Sequence, residues 1–76
     1  MLKTRTFRIV LRKEPEGAYT ALVPSLPGCI TWGETVEKTL DMAKDAIENY
    51  IAVLREEGEQ IPDDNETLEY SIQLSA

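Results

Sequence analysis

The hydrophobic periodicity of the chain changes at Thr35–Val36, and that change limits the fold to strands first and a helix after them. Before it, apolar residues recur at every second position. Between Thr4 and Lys13, Phe7, Ile9 and Leu11 fall on one face, while Thr6, Arg8 and Arg12 fall mostly opposite, with Val10 among them. A period of two is that of a half-buried strand. Glu14-Pro15-Glu16-Gly17 is a turn cluster, in which proline presets one dihedral and glycine tolerates positive φ. Ala18 to Val23 reads as a second strand, with Tyr19, Ala21 and Val23 on one face, and so short a connection predicts an antiparallel hairpin. Pro24-Ser25-Leu26-Pro27-Gly28 stops the pairing, because neither proline can donate to a ladder. Cys29 to Gly33 reads as a short third strand.

Beyond Thr35, whose hydroxyl is placed to accept a free amide of a first helical turn, the period lengthens. Val36, Leu40, Ala43, Ile47, Tyr50, Ile51 and Leu54 recur at steps of three and four. On a helix they fill a stripe about 100° wide, the pattern of a helix lying on a sheet. Its predicted end is near Glu57, with Gly58 just beyond it. Ile61-Pro62 and the run Asp63-Asp64-Asn65-Glu66 form a connection. Thr67 to Leu74 alternates again with Leu68, Tyr70, Ile72 and Leu74 inward, which predicts a fourth strand. The predicted fold is α+β, in the order β-β-β-α-β: a mostly antiparallel sheet covered by one amphipathic helix, as a single domain over residues 1–76.

A domain of this size buries only about 60% of the surface its unfolded chain exposes. Disulfides, metals or oligomerisation usually supplement so thin a core. Cys29 is the one cysteine and there is no histidine, so oligomerisation is the supplement expected. No apolar run approaches the roughly 18 residues of a bilayer span. Met1-Leu2-Lys3-Thr4-Arg5 lacks the apolar stretch of a secretory signal. The expected location is the cytoplasm, with Cys29 reduced.

The net charge of −6 is divided: residues 1–13 carry +5 and the remainder −11. So acidic a body is a poor general binder of phosphate backbones, which require Lys and Arg, and is better matched to a basic partner.

Catalytic material is scarce. A Ser or Cys nucleophile needs an adjacent base, most often histidine, and Cys29 in its strand-entry position reads as a small buried thiol. The four glycines are scattered as turn and cap residues and form no phosphate cradle. Glu37, Asp41, Asp45 and Glu48 project from the helix within a sector of about 80°, about 135° from the core stripe. Spread along the helix, they do not converge as a hard cation requires, so neither metal nor cofactor is expected. The ridge is either a solvated face or an electrostatic landing surface for a basic protein. Met42, Ala46 and Val53, with Asn49 among them, either widen the buried face or form a self-association patch. Trp32 has Glu34 and Glu37 as its nearest charged neighbours, which disfavours nucleic acid; it reads as a packing residue or an interface anchor.

The stretch Tyr19-Thr20-Ala21-Leu22-Val23-Pro24-Ser25-Leu26-Pro27-Gly28-Cys29, followed by Gly33-Glu34-Thr35, Glu57-Gly58 and Ile61-Pro62, resembles the HicB antitoxin domain. That family's pattern is a tyrosine strand, a V-P-D-L-P-G-C turn, a G-D-T helix start and a G-x-x-I-P exit. Ser25 and Glu34 each stand where aspartate is usual. The resemblance implies a partial ribonuclease-H-like fold without that enzyme's active-site carboxylates, and a non-catalytic protein. It also implies a partner of the HicA type, a small basic mRNA-cleaving toxin that HicB proteins bind and silence. Many members carry a C-terminal promoter-binding module. These 76 residues show no such segment, so no direct nucleic-acid contact is expected. On this reading Leu26, Trp32, Glu34, Glu37, Asp41 and Asp45 are the expected toxin-facing residues. Met42, Ala46 and Val53 are the expected self-association patch of a homodimer or higher oligomer. The rival readings are an orphan interaction domain of the same fold and a metal-dependent nuclease using helix or loop acids, the latter supported by fold analogy alone.

Overall fold

The structure, a computed structural model, describes residues 3–76. Met1 and Leu2, part of the stretch without a secretory-signal pattern, lie outside them. Three antiparallel strands, β1 (Val10–Lys13), β2 (Tyr19–Leu22) and β3 (Ile30–Gly33), precede one helix, α1 (Val36–Glu56). The sheet order is β1-β2-β3, with Val10 opposite Leu22 and Leu22 opposite Ile30. This is the α+β arrangement expected, with shorter strands.

Local chemistry sets each boundary. The β1–β2 turn closes where the Gly17 amide donates to the Glu14 carbonyl at 2.9 Å and the Glu14 amide to the Ala18 carbonyl at 2.8 Å, with Gly17 at φ +98°. Thr35 caps α1, its Oγ1 accepting from the Lys38 amide at 3.1 Å. At the other end Gly58, at φ +69°, donates to the Arg55 carbonyl and Glu59 to the Leu54 carbonyl. This pair of bonds satisfies carbonyls that the helix leaves free.

The Pro24–Cys29 segment is a folded loop with its own ladder. Leu26 donates to the Val23 carbonyl, Cys29 to that of Leu26, and Val23 to that of Cys29, at 3.0–3.1 Å. These bonds turn Leu26 inward to 0% exposure, beside Val23, Cys29 and Ile47. Leu26 is therefore a core residue and not the surface contact expected of it. The Tyr50 hydroxyl holds the loop from α1, donating to the Pro27 carbonyl at 2.8 Å.

The buried face of α1 also differs from the expected stripe. Thr39, Ala43 and Ile47 are buried, whereas Val36 and Leu40 are exposed. Gly33 is the physical reason. A Cβ there would lie 2.5 Å from Thr39 Oγ1 and 2.7 Å from the Thr39 amide nitrogen, so the start of α1 rests on bare backbone. The compact Thr39 fits against it, its hydroxyl satisfied by donating to the Thr35 carbonyl. The helix packs on β3 and β2, leaving Phe7, Ile9, Ile51 and Leu54 half-buried around the core.

Asp64 joins the first strand region to the rest. Its carboxylate accepts from the Arg8 amide at 2.8 Å, Thr67 Oγ1 at 3.0 Å and Ser25 Oγ at 3.2 Å, while its amide donates to the Thr6 carbonyl at 2.7 Å. Beside it Asn65 accepts from the Thr6 amide and donates to the Thr4 carbonyl. The Asp64 carboxyl lies below the usual carboxylate range, chiefly because the Arg8 amide bonds to its charged form and despite its burial.

The predicted fourth strand is absent from the sheet. Residues 67–74 have no ladder partner among the described residues, and Leu68, Tyr70, Ile72 and Leu74 are between 77% and 84% exposed. Where the segment begins, the Asp64 carbonyl accepts the Thr67 amide at 3.0 Å, closing a turn in place of a strand start.

Two outcomes are expected. Gly33→Ala forces α1 off the sheet and lowers unfolding free energy by about 1–3 kcal/mol, read by urea denaturation. Asp64→Asn costs about 1–3 kcal/mol at pH 7: its amide oxygen can keep the Arg8 and Ser25 donors, but those bonds lose their charge assistance, and its NH2 must replace the oxygen that accepts from the Thr67 hydroxyl. A lowered carboxyl stabilises the fold above the unfolded pKa of about 3.9, and the benefit fades as pH falls through that value to the folded one. The gap between wild type and Asp64→Asn in denaturation midpoint should therefore close below about pH 4.

Candidate protein-binding face

Strand β3 and helix α1 meet along one edge of the molecule. Alternation along β3 turns Gly33 toward Thr39 and leaves Trp32 and Ile30 on the other face, exposed. As β3 is an edge strand, Trp32 reaches the flank of the helix. There it lines an open groove of about 450 Å³ with Gly33, Glu34, Lys38, Asp41, Met42 and Asp45. Asp41 and Asp45, four residues apart, share one helical face, and Glu34 precedes the Thr35 cap. The groove thus presents an indole that is 52% exposed, a thioether and three carboxylates against one ammonium.

Of the residues expected to face a partner, Trp32, Glu34, Asp41 and Asp45 come together here. Glu37 is exposed in the first turn of α1 outside the groove lining, and Leu26 is in the core. The expected self-association patch divides. Met42 lines the acidic groove, Ala46 packs half-buried against the core, and Val53 lines a separate hollow of about 260 Å³ with Tyr50, Leu54 and Glu57. Lys38 was not singled out from sequence, although its three-residue spacing from Asp41 places both on one face. Also unanticipated is the row Val10, Leu22 and Ile30, cross-strand neighbours left exposed on the outer sheet face.

Among the described residues no three His, Cys, Asp or Glu side chains come together as a metal site. No helix among them is long and apolar enough to cross a membrane.

Compared with known proteins, the chain matches the family described as HicB-like antitoxin of bacterial toxin–antitoxin system over residues 7–75. It is 41% identical over 59 residues to a UPF0150 protein of Thermoplasma acidophilum, covering 78% of this chain and 86% of that protein. It is 32% identical over 62 residues to Antitoxin HicB 1 of Photorhabdus laumondii, covering 82% of this chain but only 40% of that longer protein. Among solved structures it is similar to the N-terminal domain of Burkholderia pseudomallei antitoxin HicB. The TM-score is 0.67 at 28% identity, over 90% of this chain and 72% of the other.

Cys29 stands outside the groove. It is a buried free thiol, and burial pushes its pKa up, so little thiolate is available at neutral pH. Thiol-specific labelling of the native protein should lag that of the urea-unfolded chain by at least about tenfold, and a mass spectrum after a short pulse checks it.

Proposed function

The chain belongs to the HicB-like antitoxin family, and from that premise we propose that it is a non-catalytic antitoxin that binds and neutralises a basic HicA-type mRNA-cleaving toxin in the cytoplasm, as a homo-oligomer of one HicB-like domain. The observation that carries this reading is the groove in which Trp32 stands among Glu34, Asp41 and Asp45. A half-exposed indole supplies the apolar anchor typical of interface hot spots. Carboxylates around it steer a cationic surface into place and compete with the phosphates that surface would otherwise bind. Glu37 adds to the same field from the first helical turn. A toxin held there has its RNA-binding face covered by protein.

The test is co-purification with a basic ribonuclease of the HicA type encoded beside this chain, with RNA cleavage as the readout. A stable complex and intact RNA are expected. Trp32→Ala should weaken binding about 30-fold, the scale of a hot-spot truncation of about 2 kcal/mol. Paired Asp41→Lys and Asp45→Lys should act mainly on the association rate, most strongly at low salt. Wild-type affinity in all these variants would remove the groove from the interface. Failure of the folded protein to bind the ribonuclease would turn the assignment to an orphan interaction domain.

A further inference from the structure

Residues 67–74 have the composition of a strand and, in one copy, join no sheet. Leu68, Tyr70, Ile72 and Leu74 alternate with Thr67, Glu69, Ser71 and Gln73, a period of two that marks one face for burial. All four apolar side chains are at least 77% exposed. Four such residues in a row are not an ordinary monomer surface, and a lone strand is not stable in water. The segment also stretches the molecule. Its radius of gyration is 14.3 Å, against about 11 Å for a compact chain of this length.

A receiving edge is present in the same molecule. Strand β1 has β2 on one side and no strand on the other. Since α1 packs on β3 and β2, the apolar residues nearest this edge, Phe7 and Ile9 with Ile51 and Leu54, are left half-buried. The chain's own tail joins no strand. Asp64 and Asn65 hold the backbone of Thr6 and Arg8, and among the described residues no loop or side-chain hydrogen bond engages the backbone of Val10–Lys13, which leaves that stretch of the edge open. Charge matches as well. Lys3, Arg5, Arg8, Arg12 and Lys13 line the first strand region, while the tail brings Glu66 and Glu69. One such pairing forms within the chain, Arg8 Nη1 to Glu69 Oε1 at 3.8 Å.

We propose that two copies of this chain exchange residues 67–74, each tail lying as a fourth strand along the other copy's β1 edge with Leu68, Tyr70, Ile72 and Leu74 over its Phe7, Ile9, Ile51 and Leu54. The proposal rests on the self-association read above and supplies its device. A second copy is the occupant because donor strand and acceptor edge sit on the same chain, so a two-fold exchange satisfies both tails at once and closes. At about 3.3 Å per residue, eight residues span about 26 Å, an ordinary strand length. The exchange restores the fourth strand that the sequence periodicity announces.

Sedimentation velocity on the full chain and on a Tyr70→Asp/Ile72→Asp double variant tests this. Both positions are exposed in a single copy, so the variant should keep its helical circular dichroism. The full chain is expected as a dimer at micromolar concentration and the double variant as a monomer. In a refolded 1:1 mixture of carbon-13-labelled and unlabelled chains, isotope-filtered NOEs should connect the Ile72 methyls of one copy to Ile9 and Ile51 methyls of the other. A dimer that survives the double substitution and shows no such NOEs overturns the exchange while leaving self-association intact, through another surface such as the Val10–Leu22–Ile30 row. A monomeric full chain overturns both. Ribonuclease binding is scored separately, so neither result stands in for the antitoxin reading.

Discussion

One carboxylate organises the part of this structure that the helix does not. Asp64 gathers the Arg8 amide, the Ser25 hydroxyl and the Thr67 hydroxyl around its two oxygens, and its own amide goes to Thr6. An ionised carboxylate is acceptor-only and holds several donors at once, so one side chain can fix the first strand region, the loop carrying Leu26 and the direction in which the tail departs. Ser25 acquires a role by this route. Where the family pattern has aspartate, a second carboxylate would face Asp64; here the hydroxyl donates to it instead.

The two surfaces with functional potential lie at opposite edges of the sheet. The Trp32 groove belongs to β3, and the unfilled strand position belongs to β1, with β2 between them. A partner in the groove and a second copy at the β1 edge therefore do not compete for the same backbone. The charge division follows the same geography: the basic residues cluster on the first strand region and the groove carboxylates lie on and beside α1.

The element order was readable because each boundary rests on local chemistry. Gly17, Thr35 and Gly58 each perform in the structure what their residue type implies. What the sequence hid depends on long-range contacts. Leu26 between two prolines looks like a loop tip, and only the backbone bonds joining Val23, Leu26 and Cys29 turn it inward. Thr39 outranks Val36 and Leu40 at the buried face because Gly33 permits a close approach that periodicity does not encode. Asp64 was indistinguishable from its acidic neighbours in the run 63–66, although it alone of them is buried. At the groove, Trp32, Glu34, Asp41 and Asp45 were legible from helical spacing and proximity to the cap. Lys38 and Met42 join them only once strand and helix are placed side by side.

The central claim is a division of labour, with the β3–α1 edge facing a basic protein and the tail facing another copy of this chain. Hydrogen–deuterium exchange on the antitoxin alone and in complex with a basic HicA-type ribonuclease tests it most directly. The account predicts that backbone amides of residues 68–74 are already protected without the ribonuclease, and that the complex adds protection across residues 32–45 while leaving the tail unchanged. Rapid tail exchange in the absence of the ribonuclease, with protection appearing there and not at residues 32–45 when it binds, would contradict it.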